Sequence, residues 1–99
     1  MTDTTTAATA TTTWLARIHV SFKPVVLDPQ GETVLNGLHQ LGFADVSRVR
    51  VGKLFEITLS AADNVAAEEI VRQMCERLLA NPVIERYDFS VQETAAAQG

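Results

Sequence analysis

The sequence has one cysteine, three prolines and one tryptophan in 99 residues. A single thiol cannot form a disulfide within the chain, so the fold cannot depend on one. No run of about 18 apolar residues and no apolar segment of the signal-peptide kind precedes the predicted fold, so we expect a cytoplasmic protein without a membrane-spanning helix. Positive charge is also scarce. Eight Lys and Arg against twelve Asp and Glu give a net charge of −4, which provides no general attraction to nucleic acid or to anionic membranes.

The rest of the composition is typical of a globular protein, with 46% hydrophobic and 20% charged residues. A chain of this size has room for one domain with one modest core. Residues 1–13 are almost wholly Thr and Ala, so we expect them to form a disordered tail. We predict the folded domain over residues 14–92, and we expect residues 93–99, which are mostly small or polar, to fray.

The first half of the fold is predicted as a strand followed by a helix. Residues 14–22 alternate between apolar and polar side chains, as expected of a half-buried strand. Asp28 and Pro29 are typical of a helix N-cap and a first helical position, and Gly42 suits the left-handed residue that ends a helix. We therefore predict the first helix over residues 29–41.

A β-hairpin is predicted next, because residues 46–51 and 55–59 alternate again. A two-residue loop between them would place Arg50 opposite Phe55, which sets a charge against a core residue. One further loop residue, or a bulge, would pair Val51 with Phe55 instead. We predict the second register.

A second helix and a last strand complete the predicted fold. Asp63 can cap a helix with an apolar stripe, Asn81 and Pro82 stop that helix, and residues 83–91 alternate as a strand. The order βαββαβ commonly gives the ferredoxin-like arrangement. We therefore expect an α+β fold in which a four-stranded antiparallel sheet carries two helices on one face.

The sheet face opposite the helices is predicted to be rich in arginine, although the chain as a whole is acidic. Four arginines and two acids are expected there: Arg17, Arg48, Arg50, Arg86, Glu56 and Asp88. Two interpretations remain open, a solvated face or a surface for docking or self-association. RNA recognition of the RRM kind needs aromatic side chains on this face, and the predicted face has none.

No self-contained active site is predicted. Cys75 lies within the second predicted helix, far in sequence from both histidines, so we expect a small core residue rather than a nucleophile. His19 and His39 have no Cys, Asp or Glu at metal-ligand spacing. Lys53 follows a glycine, as at the end of a phosphate-binding loop, but Leu54 stands where that loop needs Ser or Thr. Any chemistry that this chain serves must therefore be completed by other chains.

Three strings of residues carry a family resemblance. Residues 27–31 open the first predicted helix, residues 49–53 close the second predicted strand, and residues 78–85 join the second helix to the last strand. In this order they resemble PurS, the small subunit of phosphoribosylformylglycinamidine (FGAM) synthase. The resemblance extends from about residue 17 to residue 91.

This resemblance implies a non-catalytic subunit of an ATP- and glutamine-dependent ligase complex of purine biosynthesis. A glutaminase subunit (PurQ) releases ammonia, a synthetase subunit (PurL) uses ATP to consume it, and the small subunit bridges them and assists ammonia transfer. The resemblance also implies a homo-oligomer, a dimer that can pair into a tetramer. ATP and magnesium are expected on the synthetase, and no cofactor in this chain. Partner contacts are expected from five polar residues in the strings: Asp28, Gln30, Arg50, Lys53 and Asn81.

Two alternatives remain open. Asp28 and Asn81 can instead serve only to cap a helix and to form a turn. The whole domain could also be an ACT-like regulatory module, which has the same order of elements and binds an amino acid at a dimer interface. Such modules often carry a glycine-containing turn after the first strand, and residues 24–27 contain no glycine.

Overall fold

The computed structural model describes residues 11–94, so residues 1–10 of the predicted tail and residues 95–99 of the predicted frayed end lie outside it. The first strand begins two residues before its predicted start, and the last strand ends at Glu93, two residues after its predicted end. The α+β class is confirmed. In chain order the elements are β1 (Thr12–Phe22), α1 (Pro29–Gln40), β2 (Gly52–Ala61), α2 (Asn64–Met74), a π-helical segment (Cys75–Leu79) and β3 (Glu85–Glu93).

The sheet has three antiparallel strands in the order β2-β1-β3, so β1 lies at its centre. The two ladders run from Thr12↔Ala61 to Ser21↔Gly52 and from Trp14↔Glu93 to Phe22↔Glu85. Almost the whole length of β1 is therefore hydrogen-bonded on both sides. A strand in this position places one complete face against the core, which is what the alternation in its sequence predicts.

The core lies between that face of β1 and helix α2. The inward side chains of β1 include Ile18 and Val20, which are almost fully buried, and α2 contributes Val71. Cys75 is buried beside them, as predicted for a small core residue, and its burial raises the pKa of its thiol. Burying one such aliphatic side chain contributes about 1.5–3 kcal/mol, so this layer supplies much of the stability of a small domain.

Helix α2 begins at the predicted cap. The Asp63 carboxylate accepts a hydrogen bond from the Ala66 N–H at 2.8 Å, which satisfies one of the free donors of the first turn. After Met74 the helix widens into the π-helical segment, and the chain leaves it at Ala80 in an extended conformation. The wider turn changes the direction in which successive side chains point. Within this segment Cys75 is buried, whereas Leu78 is 83% exposed.

The predicted fourth strand and its hairpin are wrong, because residues 46–51 form no strand and residues 11–94 contain only three. Val51 does not pair with Phe55, since β2 begins at Gly52 and pairs with β1 instead. Gly52 lies opposite Ser21, one residue before the end of β1. Residues 46–51 therefore continue past the end of the sheet, where β1 offers them no further ladder.

The prediction that two helices share one sheet face is also wrong. Helix α2 packs on the sheet, whereas α1 makes only marginal contact with the strands. Residues 43–51 run back along α1 and are fixed to it by contacts such as the 2.7 Å approach of His39 Nε2 to the Val46 carbonyl oxygen. We call residues 24–51 the arm. The arm lies beyond the end of the sheet because both of its connections, at Phe22 and Gly52, leave the sheet at that end.

Candidate functional site

The three strings of the sequence meet where β1 ends. The Lys23 N–H donates to the Ile84 carbonyl oxygen at 2.8 Å, which ties the residue before the arm to the residue before β3. The Val51 N–H donates to Asp28 Oδ2 at 2.7 Å, which ties the two sides of the arm together. We call residues 20–31, 48–53 and 81–86 the junction. All five residues predicted to contact partners belong to it.

Asp28 is the buried polar residue of the junction, with only 2% of its surface exposed. One carboxylate oxygen accepts the N–H of Gly31 at 3.0 Å as a helix cap, and the other accepts the N–H of Val51. These hydrogen bonds, the one from Val51 first, hold the pKa of Asp28 below its usual range. The predicted capping role is therefore confirmed. The same side chain also joins α1 to residues 43–51, which run back along this helix.

The stability that Asp28 contributes is expected to disappear in acid. Its carboxylate is favoured in the folded state, so the contribution is fully present above the unfolded pKa of 3.8 and is lost as the pH falls through the lower folded pKa. We expect the melting temperature of the unmodified chain to fall more steeply below about pH 4 than that of Asp28→Asn. Thermal unfolding followed by circular dichroism from neutral pH to about pH 2 would measure this difference.

The matched control is Asp88→Asn, which removes an exposed carboxylate that lies 3.6 Å from His19. This variant should keep the steep acid limb of the unmodified chain. Parallel curves for the unmodified chain and Asp28→Asn over the whole pH range would contradict the assigned role of Asp28.

Gln30, Lys53 and Glu85 line one cavity of the junction, with a volume of about 480 Å³. Glu85 Oε2 lies 3.8 Å from Lys53 Nζ, and Glu85 Oε1 accepts the Asn81 N–H at 2.8 Å. Glu85 therefore connects two predicted residues, Lys53 and Asn81, that lie far apart in the sequence. The Asn81 side chain also accepts the Val83 N–H at 3.0 Å, which confirms its turn-forming role.

Arg50 lies on a different side of the junction. Its Nη2 donates to the Lys23 carbonyl oxygen at 3.1 Å, and its side chain lines a second cavity together with Arg48 and Arg86. The sequence predicts the other two arginines on the open sheet face, but not as site residues. Because residues 46–51 leave the sheet, two of the three reach this cavity from the arm rather than from a strand.

Two important junction residues are not among the predicted site residues. Gly31 is buried, and a Cβ atom there would overlap the Val49 carbonyl oxygen and the Asp28 carboxylate. The sequence could have indicated Gly31, because it lies inside the first string and in the first turn of a predicted helix. A glycine there lowers the stability of the helix, so its presence points to close packing. Glu85 has no comparable signal, because an acidic residue at the start of a strand is common.

The junction presents hydrogen-bonding groups and charges. Cys75 is buried in the core, away from the junction. Within residues 11–94 no three His, Cys, Asp or Glu side chains come together in a way that could hold a metal ion. In the same part of the chain, no helix is long and apolar enough to cross a membrane. Such a site can bind and orient other molecules.

Comparison with known proteins gives a consistent result. The family model described as PurS, phosphoribosylformylglycinamidine (FGAM) synthase, matches residues 15–93. The FGAM synthase subunit PurS of Synechocystis sp. (strain ATCC 27184 / PCC 6803 / Kazusa) is 51% identical over 75 residues, which cover 76% of this chain and 75% of that protein.

Solved structures agree with the sequence match. PurS of Methanocaldococcus jannaschii, described as one of the subunits of formylglycinamide ribonucleotide amidotransferase in the purine biosynthetic pathway, superposes with a TM-score of 0.75 at 34% identity. That match covers 82% of this chain and 98% of the other. A chain in the structure of PurLQS from Thermotoga maritima gives a TM-score of 0.72 at 35% identity, covering 83% and 98% of the two chains.

Proposed function

This chain belongs to the PurS family, and we propose that it works as the non-catalytic connecting subunit of FGAM synthase. In this role it bridges the glutaminase and the ATP-dependent synthetase of purine biosynthesis and assists the transfer of ammonia between them. The family match does not favour the ACT-like alternative. The observation that carries the proposal is the apolar surface that residues 11–94 leave uncovered on both the arm and helix α2.

The arm carries the first uncovered surface. Three of its apolar side chains are exposed, Val34 at 44%, Leu41 at 75% and Phe43 at 56%, and α1 makes little contact with the sheet. An isolated helix of 12 residues is marginal in water, and most helices are stabilised by packing of their apolar face. The arm therefore needs a second surface to pack against.

Helix α2 carries the second uncovered surface. Eight residues line a groove of about 640 Å³ between this helix, the π-helical segment and β2. Five are apolar and three are polar or charged: Ile57, Ile70, Met74, Leu78 and Leu79, with Glu69, Gln73 and Arg77. An exposed, largely apolar surface bordered by polar residues commonly marks an interface. Because one copy has both an apolar arm and an apolar groove, we propose that two copies exchange these surfaces across a two-fold axis. A dimer is the basic unit of this proposal, and two dimers can form a tetramer.

The junction is proposed to contact the other subunits. A relative from Thermotoga maritima is known in a PurLQS structure, so we propose that this chain likewise joins a PurL and a PurQ subunit. Gln30 and Lys53 are exposed at the junction and can make polar contacts directly. Arg50 and Asn81 are exposed beside them. Asp28 acts indirectly in this scheme, since its carboxylate is already bonded to the backbone.

Sheltering ammonia is the physical reason for such a subunit. Ammonia released at neutral pH takes up a proton from water, and the resulting ammonium ion has no free electron pair with which to attack. Transfer between two active sites therefore requires a path from which bulk water is excluded. A subunit that holds both enzymes together and seals their contact contributes to that path without a reactive group of its own.

The synthetase is proposed to hold ATP and magnesium. The residues of this chain do not fit a phosphate-binding loop, since Gly52 and Lys53 begin strand β2 rather than a helix. Leu54 also lacks the hydroxyl that such a loop uses to bind magnesium. This chain is accordingly assigned no step of the ATP-dependent reaction.

Reconstitution tests the proposal. Synthetase and glutaminase subunits would be assayed with and without this chain, first with glutamine and then with an ammonium salt as the nitrogen source. We expect omission of the chain to reduce the glutamine-dependent rate to background and to leave the ammonium-dependent rate unchanged. An equal loss of both rates, or no loss of either, would exclude a role in ammonia transfer.

Two variants make the same assay specific to the junction. Lys53→Gln removes the positive charge of Lys53, whose side chain is 58% exposed and lies 3.8 Å from the mostly buried Glu85. Arg17→Gln removes that of Arg17, which is 56% exposed and lies 3.0 Å from Glu56 on the open sheet face. We expect only Lys53→Gln to raise the concentration of chain needed for half-maximal activity. Equal curves for the two variants would remove Lys53 from the interface.

A further inference from the structure

Three arginine side chains line one cavity of the junction. Arg48 and Arg50 reach it from the arm and Arg86 reaches it from β3. Ser21 of β1, opposite Arg86 in the ladder, also lines it. The volume is about 240 Å³, the space of roughly eight water molecules. Phe22 and Pro24 form part of its wall.

The backbone holds two of these groups in place. Arg48 Nη2 donates to the Pro24 carbonyl oxygen at 3.2 Å, and Arg50 Nη2 donates to that of Lys23 at 3.1 Å. A guanidinium carries five N–H donors, so each arginine keeps most of its donors for another acceptor. Side chains fixed in this way lose little further freedom when a ligand binds.

The positive charge of this cavity is not neutralised within the part of the chain described. The four ion pairs found among residues 11–94 involve Arg17, His19, Lys53 and Arg72, and none includes an arginine of the cavity. Asp28 lies near enough to Arg50 for the two charges to interact, but both of its oxygens already accept backbone N–H groups. Three cations therefore face one small space in a chain whose net charge is −4.

We propose that this cavity binds a phosphate monoester through Arg48, Arg50 and Arg86. Guanidinium forks match phosphate oxygens in pairs, and a phosphate monoester carries close to two negative charges at neutral pH, more than one carboxylate can offer to three cations. Ser21 can supply a hydroxyl hydrogen bond, and Phe22 and Pro24 leave an apolar wall for the carbon part of the ester. This site does not depend on the assembly proposed above, since every residue comes from one chain.

Titration of the purified full chain with inorganic phosphate and with ribose 5-phosphate tests the proposal. Amide chemical shifts would be followed by nuclear magnetic resonance at pH 7.5, with sodium chloride added to keep the ionic strength constant, since nonspecific binding of anions is screened by salt. We expect saturable shifts centred on residues 21–23, 48–50 and 86. Tighter binding of ribose 5-phosphate would identify a sugar phosphate as the source, and equal binding would identify phosphate alone. Either result supports the site.

Matched variants decide whether the arginines of the cavity are responsible. Arg86→Gln and Arg48→Gln are each expected to weaken phosphate binding roughly tenfold or more, as for the loss of one charge-assisted hydrogen bond. Arg17→Gln removes the same charge from the same sheet face outside the cavity and should bind as the unmodified chain does. Non-saturable shifts, an equal weakening by all three variants, or binding of a poly-glutamate peptide but not of either phosphate would overturn the proposal.

Discussion

Replacing Gly31 with alanine is expected to detach residues 43–51 of the arm from helix α1 and to lower the melting temperature. The added Cβ would overlap the Val49 carbonyl oxygen, which is backbone, and the Asp28 carboxylate, which two backbone hydrogen bonds hold in place. Overpacking of this kind costs about 1–3 kcal/mol. In a domain of this size each kcal/mol corresponds to roughly 4–8 °C, so a loss of several degrees is expected.

The matched control is Gly37→Ala in the same helix, where an added Cβ would meet no atom within 4 Å. Alanine favours a helix over glycine by about 1 kcal/mol, so this variant should be slightly stabilised. Thermal unfolding gives the two shifts, and hydrogen exchange at residues 46–51 reports whether the segment has come away. The close-packing role of Gly31 is wrong if both variants are stabilised alike.

Leu78→Asp is expected to convert the proposed dimer into a monomer. Leu78 is 83% exposed in the single chain and lines the apolar groove of α2, so the proposed contact would bury it. Burying an unpaired carboxylate in an apolar contact is far more costly than leaving it in water. The folded monomer should tolerate the change, because the side chain makes no part of the core.

Sedimentation equilibrium measures the expected halving of the mass. The matched control is Val65→Asp, which introduces the same charge at a 74% exposed apolar position in the first turn of the same helix, outside the groove. It should leave the mass unchanged. If Leu78→Asp also leaves the mass of a dimeric chain unchanged, the copies meet elsewhere, and a chain that is monomeric before substitution would exclude the exchange of arm and groove.

The elements that the sequence predicts well are those whose determinants lie close together in the chain. Strand β1 shows its buried face through alternation, Asp63 caps the helix that follows it, and Gly42 adopts the expected left-handed conformation with φ of 101°. The capping bond of Asp28 to Gly31 spans only three residues. Each of these interactions can be inferred from neighbouring residue types alone.

The error at residues 46–51 has a specific physical cause. Val49 and Val51 alternate with arginines because one side of this segment is half-buried in the arm, and alternation does not tell a helix-packed segment from a strand. The N–H of Val51 bonds to the Asp28 side chain, 23 residues away, instead of to a neighbouring strand. No local pattern predicts such a bond.

The residues of the junction likewise divide into those that the sequence indicates and those that only the folded chain shows. The three strings indicate Gln30, Lys53 and Asn81 from the sequence alone, but the convergence of these residues depends on the position of β1 relative to β3. Glu85 is recognisable only from its place between Lys53 and Asn81 in the folded chain. The prediction that Arg48 lies on the open sheet face is wrong, since Arg48 reaches the cavity from the arm, whereas Arg86 lies on strand β3.

The central position of β1 also has a consequence for how the protein is made. Both neighbours of β1 follow it in the sequence, and β3 begins more than 60 residues after β1 ends. During synthesis the apolar face of β1 leaves the ribosome well before the segment that completes its ladder. Contacts between residues so distant in sequence form slowly, and unpaired strand edges favour aggregation. The nascent chain therefore passes through a period in which Ile18 and Val20 are unprotected, and chaperone binding to this stretch would be most useful then.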